Sequence, residues 1–279
     1  MPSLSARLLA MCLAGSGAVV GAVGFSGTRT AEPRPTSILL MADGPLTAAD
    51  APSAPPVALA AGEVIMNSEV VPALEIQGGL SMRPLHTDSI DGRSFGVVEW
   101  PADVSLRRHW HPVTERLLML EGSIASPADG QVGPGEYWEA PARVAMGPFT
   151  STGSTFLFFG EGPFETYYLK EGEAAPRQGE TLTIDPAALP WQRMGALMGG
   201  SQGGEIKMLR PASGTDRGVY LVRLSGPVTR GLLVLPSDIE GYVLSGSLRL
   251  SDPYHGVHEL APGFYFRIPE GFPLNLSSS

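Results

Sequence analysis

The sequence predicts an all-β protein built from two copies of one β-unit, and three observations carry that expectation. Glycine and proline, 35 and 26 of the 279 residues, punctuate the chain too often for long helices. Between them lie short apolar or alternating runs of strand length, bounded by turn residues. The third observation is an internal repeat. A shift of 124 lays Arg93-Ser94-Phe95-Gly96-Val97-Val98-Glu99-Trp100 on Arg217-Gly218-Val219-Tyr220-Leu221-Val222-Arg223-Leu224 without a gap. The same shift carries Pro112 to Pro236 and Gly122-Ser123 to Gly246-Ser247. After a loop four residues longer, Pro134-Gly135 and Pro141 meet Pro262-Gly263 and Pro269.

In chain order, residues 8–25 form an apolar, Gly- and Ala-rich run after a single Arg7, and Ala22-Val23-Gly24 supplies small residues for cleavage. Residues 1–24 are therefore expected to be an export signal, placing the protein outside the cytoplasm; a true start at Met41 would make it cytoplasmic. Residues 25–61 are expected to be an Ala/Pro-rich linker without fold, with residues 38–41 its only apolar island. The first β-unit spans 62–175 and the second 176–279. Strand-like runs fall at 73–76, 80–85, 95–100, 104–111, 115–121, 136–140, 144–149 and 155–159, with hairpin signals at Asp91-Gly92 and Asp129-Gly130. The first copy continues for about two strands past Met146, whereas the second has only five residues after Leu274. A strand from 63–76 crosses over to cover the edge this leaves, another subunit covers it, or the gene product is truncated.

Composition narrows the function. A net charge of −9 disfavours nucleic acid, whose phosphates would be repelled. Cys12 is the only cysteine, so the folded part has no disulfide and no thiolate zinc site. His109 and His111 are two apart, so on a strand both imidazoles point the same way and can share a cation. Pro112 ends that strand, and Glu115 opens a second apolar run that folds back beside it.

The spacing His-x-His-x3-Glu-x6-Gly, met by His109, His111, Glu115 and Gly122, resembles the first signature of the cupin superfamily, small β-barrels of the jelly-roll type. Gly135 and Pro141 match the second signature, while Arg143 stands where the family has glycine and Met146 where it has the histidine that completes a metal site. The resemblance implies two tandem cupin-type jelly-roll barrels, the second shortened at its C-terminus. It also implies a divalent transition metal (Fe, Mn, Ni or Zn) on His109, His111 and Glu115, the facial two-histidine, one-carboxylate set, with the Met146 thioether as a weak fourth donor. His-Trp-His-Pro-x2-Glu-Arg, with Gly160-Glu161-Gly162-Pro163-Phe164 and Tyr167-Tyr168, resembles a bicupin group to which no reaction is attached. A looser likeness to the cupin lobes of anti-sigma factors implies a sensory role.

The repeat supplies an internal control. His109, His111, Glu115 and Met146 map to Leu233, Leu235, Ile239 and Leu274, so the second copy is aliphatic wherever the first could hold a cation. Burying the ionisable set costs free energy unless it is paired or ligated, and stability alone does not require it. Leu117, Met119, Phe156 and Phe158 alternate as pocket lining or as ordinary core. Trp110 should face away from the histidines, and Tyr137 and Glu139 share one face of their strand. Gly199-Gly200-Ser201-Gln202-Gly203 has the form of a nucleophile elbow but sits in a glycine-rich loop. His86, His255 and His258 fall near turns and are expected to be solvated. The expected protein is an exported two-barrel cupin that binds a metal and a small organic molecule, with oxygenase-, hydrolase- or isomerase-like chemistry. The alternative is a non-catalytic ligand-binding or sensory module without metal. Neither involves nucleic acid, and sheet edges offer a route to a homo-oligomer.

Overall fold

The computed structural model of the chain describes residues 35–42, 64–194, 203–214, 216–226, 233–234, 237–254 and 256–278. The expected signal 1–24 with Cys12, most of the expected linker, residues 199–202, Leu235, Pro236 and His255 lie outside these. Among the described residues only three short 3-10 turns interrupt the strands, and no helix is long and apolar enough to cross a membrane.

Two seven-stranded antiparallel sheets organise the molecule. The first runs, edge to edge, Leu182–Ile184, Tyr137–Ala140, Glu115–Glu121, Ser154–Gly160, Ser94–Trp100, Leu80–Thr87 and Leu74–Ile76. The second runs Gln192–Arg193, Gly204–Arg210, Gly218–Leu224, Thr36–Ala42, Ile239–Ser245, Phe264–Ile268 and Val64–Asn67. Each has a four-stranded sheet packed on one face, as the mixed membership of two apolar clusters shows: Leu117, Trp138 and Phe156 with Ile124 and Phe149 in one lobe, Val222 and Phe266 with Leu250 and Leu276 in the other. The opposite faces of the two large sheets meet in a third cluster, where the Phe95 ring lies 5.2 Å from Tyr265. The two lobes therefore share a core.

The repeat holds in the backbone. Ser94–Trp100 and Glu115–Glu121 shift by 124 onto Gly218–Leu224 and Ile239–Ser245, residue for residue. His109 bridges Met146, and their repeat partners Leu233 and Leu274 pair in the same way.

The expected linker is overturned at Thr36–Ala42. This stretch is a central strand of the second large sheet, hydrogen-bonded to Gly218–Leu224 on one side and Ile239–Ser245 on the other. It fills the slot that Ser154–Gly160 fills in the first lobe, and in matching register: Ser154 faces Trp100, and Thr36 faces Leu224, the repeat partner of Trp100. Gly122 and Gly246, both at positive φ, turn the chain beside these two strands, where a Cβ would strike the backbone at Gly153 and at Thr36. The missing C-terminal strand of the second copy is thus supplied from the N-terminus. The run 38–41 is apolar on both faces because both are buried, Ile38 and Leu40 toward the small sheet and Leu39 and Met41 toward the first lobe.

The lobes also exchange edges. Val64–Asn67, inside the bounds of the first unit but within the stretch 63–76 expected as one possible crossing strand, pairs with Phe264–Ile268 in the second sheet, while Leu182–Ile184, from the second unit, pairs with Tyr137–Ala140 in the first. Two other expectations need correction. The run 104–111 splits into Ser105–Leu106 and His109–Trp110, and 144–149 forms only isolated bridges before the strand Phe149–Ser151. Pro148 offers that stretch no N–H for a ladder.

Candidate metal centre

His109 lies in a two-residue strand paired with Tyr167–Tyr168, and its backbone exchanges hydrogen bonds with Met146 at 3.1 and 2.9 Å. His111 follows after Trp110, and its carbonyl accepts the Arg143 N–H at 2.7 Å. Alternation works as expected: Trp110 turns away and stacks on Tyr167 at 4.4 Å, while the two imidazoles meet edge to face at 4.9 Å. Both histidines are buried. Glu115 begins the strand Glu115–Glu121, and its Oε2 lies 3.3 Å from His111 Nε2. His111 therefore touches both His109 and Glu115, at the start of the strand Glu115–Glu121.

The outer ring nitrogens are committed. His109 Nδ1 lies 2.6 Å from the Arg107 carbonyl and His111 Nδ1 lies 2.7 Å from the Glu165 carbonyl. A carbonyl only accepts, so each Nδ1 carries hydrogen, and in the neutral ring Nε2 keeps a lone pair. Burial holds the His109 pKa below the ordinary histidine value and His111 adds to this, while the Arg107 carbonyl and Glu115 oppose it. The lowered pKa favours the neutral ring, the form a metal requires.

Two ligands at about 2.1 Å from one ion, and at right or tetrahedral angles to each other, are about 3.0–3.4 Å apart. The His111–Glu115 separation fits that, and it equally fits a direct ion pair. Among the described residues, no three His, Cys, Asp or Glu side chains converge as a ready metal cage. The donor types and tautomers suit a transition ion, and a closed cage is not already formed. Met146 is buried in the apolar cluster with Leu117, Met119, Phe156 and Phe158, and these residues form the lobe core.

Aromatic residues that sequence reasoning had not placed at the site complete it. Phe164 stacks on His111 at 4.1 Å, and Tyr168 lies 5.8 Å from His109 under the Arg107 guanidinium, which stands 4.4 Å over its ring. Phe164 and Tyr167 are among the exposed large apolar residues, so the side of the site bounded by 164–168 faces solvent. Arg143 occupies left-handed backbone, φ 67°, which explains the glycine that the resemblance expects there.

Other candidates fall elsewhere. Tyr137 and Glu139 are buried toward the second lobe, where Glu139 accepts from Tyr137 (2.8 Å) and Arg116 (3.0 Å). His86 is partly buried rather than free in solvent: a register shift at Pro84/His86 accompanies its contact with Glu240 at 2.6 Å. His258 is half-buried on an outer strand. Cavities of about 110 and 270 Å³ open at the lobe junction, the smaller lined by His86, Arg217 and Glu240, and the larger by Ser68, Arg83 and Tyr242.

A lobe made of a seven-stranded and a four-stranded antiparallel sheet, with paired histidines and a glutamate at one end, defines the class as cupin, here in a two-lobed form. Residues 61–165 belong to the cupin superfamily, matching the family described as the ChrR cupin-like domain. In fold the chain is similar to a candidate dioxygenase from Nostoc punctiforme (TM-score 0.63, 18% identity, covering 79% of this chain and 80% of that one). It is also similar to a candidate glyoxylate-induced protein from Pseudomonas aeruginosa (TM-score 0.53, 12% identity, 83% and 91%). At these identities the likeness speaks to fold alone. No curated protein matches the sequence.

Proposed function

We propose that the chain is an exported protein of two jelly-roll barrels whose first barrel holds one divalent transition metal through His109, His111 and Glu115, and binds or transforms a small organic molecule beside it. One observation carries this reading. Two buried imidazoles have Nδ1 tied to backbone carbonyls, so that Nε2 is the atom left for a cation, with a carboxylate at 3.3 Å. Such outer partners fix the tautomer and orientation of metal-binding histidines. Fe, Mn, Ni and Zn all accept this donor set. A divalent ion bound there supplies Lewis acidity toward a water or a carbonyl oxygen. The protein's own groups hold the site: the Arg107 and Glu165 carbonyls orient the rings, Phe164 covers His111, and Met146 packs behind. The second barrel, completed by Thr36–Ala42, is structural, and residues 1–24 direct export.

Elemental analysis of protein purified without a metal-affinity tag tests this. About one metal per chain is expected, falling to background in His109→Ala and His111→Ala; unchanged metal in His109→Ala refutes the site. The His111–Glu115 contact also favours a second reading, a metal-free binding or sensory module in which that ion pair stands alone. Turnover assays after loading Fe(II), Mn(II), Ni(II) or Zn(II) separate enzyme from binder.

A further inference from the structure

Basic residues are distributed unevenly over this acidic protein. Arg83, Arg93, Arg116, Arg210, Arg217, Arg223, Arg249 and Arg267 all have carboxylate partners. Among the described residues Arg107, Arg108, Arg143, Lys170 and Arg177 have none, and all sit in segments joined to the histidine pair. Arg107 and Arg108 directly precede His109. The Arg143 N–H donates to the His111 carbonyl, the Arg177 N–H donates to the Arg143 carbonyl, and the Leu169 N–H, next to Lys170, donates to the Arg108 carbonyl. Arg193 is the one other described arginine in that condition. Of these, Arg107, Arg143, Lys170 and Arg177 are exposed, and Arg107 and Arg143 are each one contact from the site: Arg107 over the Tyr168 ring beside His109, and Arg143 through its backbone N–H to the His111 carbonyl. Among the described residues, none of the carboxylates nearby forms an ion pair with them. Glu165 accepts from the Tyr167 hydroxyl, Glu173 accepts the Lys170 N–H, and Glu171 is exposed without an ion pair.

Arg143 adds a second, independent observation. It holds left-handed backbone that glycine would occupy without strain, yet among the described residues its guanidinium has no hydrogen-bond, ion-pair or ring partner. An exposed cation held in left-handed backbone beside a site is a motive to look for a ligand there. Phe164 and Tyr168 offer that ligand an apolar face.

We infer that Arg107 and Arg143 select an anionic ligand, a small carboxylate with an apolar or aromatic body, for the histidine site of the first lobe. The inference rests on the proposed function for its location, while its test reads charge recognition separately from metal. The full chain, metal-loaded and metal-free, is titrated calorimetrically with benzoate, phenylacetate and acetate, and with the neutral benzamide and phenylacetamide. Benzoate or phenylacetate should bind more tightly than its amide, more weakly as salt rises, and about tenfold or more weakly in Arg107→Gln and Arg143→Gln. Arg193→Gln should bind as wild type, and metal content should be the same in all three variants. Equal binding of acid and amide, wild-type binding in both rim variants, or no carboxylate bound at all overturns the inference. Arginine-dependent binding by a chain that takes up no metal overturns the metal reading and upholds this one.

Discussion

Arg143 sets a backbone preference against a charge. Left-handed backbone costs a non-glycine residue about 1–2 kcal/mol, part of which glycine's larger unfolded-state freedom returns. Arg143→Gly should therefore stabilise the protein by about 1 kcal/mol in urea denaturation, while losing the anion affinity assigned to the rim. A variant no more stable than wild type would show that the conformation is not strained. Arg116 is the opposite case. It is buried beside Glu139, Glu161 and Asp216, and those carboxylates keep it charged against the burial that opposes charge. Arg116→Ala removes the cation that joins these carboxylates, leaving Glu139 only Arg210 and Glu161 only Arg93 and Arg217 as ion-pair partners among the described residues, and should cost about 3–5 kcal/mol. At this scale the sequence was legible where chemistry sits in side chains at fixed spacing: the ring of His111 lies against that of His109 and its Nε2 beside Glu115. It was not legible where partners are backbone atoms, since nothing in the identity of Arg107 or Glu165 says that its carbonyl will hold an imidazole. Nor could spacing foresee Phe164, which reaches His111 only because a distant strand pairs with His109–Trp110.

Among the elements, Thr36–Ala42 carries the most consequence for its length. Ile38, Leu39, Leu40 and Met41 are all at most 2% exposed, and burial of such side chains contributes about 1.5–3 kcal/mol each. Leu40→Ala should cost about 2–5 kcal/mol. Leu39→Asp, which puts an unpaired charge between the lobes, should prevent soluble expression or cooperative unfolding. A chain begun at Met41 loses most of this strand and should fail likewise; folding of that product to wild-type stability would remove the strand from the account. A four-residue apolar run inside a polar, proline-rich stretch looks like an island in a linker, because its partners lie about 180 to 200 residues away and composition carries no such pairing. The repeat did reveal that the second copy lacked strands. What it could not reveal was which segment supplies them.

The whole molecule is held by charge as well as by apolar packing, since one buried ion-pair network crosses between the lobes. Arg116 and Glu161 belong to the first large sheet and its edge. Arg217 reaches Glu161 on that side and Glu240 on its own, and His86 of the first lobe contacts Glu240 as well. Burial pushes the Glu240 carboxyl up, but His86, Arg217 and the Tyr265 hydroxyl outweigh it and hold the pKa at about 2 against an ordinary 4.5. The sign follows from linkage. A carboxyl whose folded pKa is depressed gives stability that is fully present above 4.5 and is lost as pH falls from there toward about 2. At about 1.4 kcal/mol per pH unit the loss is about 3 kcal/mol. Urea midpoints measured from pH 7 to pH 2 should fall most steeply over that interval. Glu240→Gln should be less stable than wild type at pH 7, and the two curves should converge in acid, because protonation removes from wild type the charge that the substitution has already removed. Curves that stay parallel down to pH 2 would mean that Glu240 is not held ionised by the opposite lobe, and that the lobes join through their shared apolar core alone.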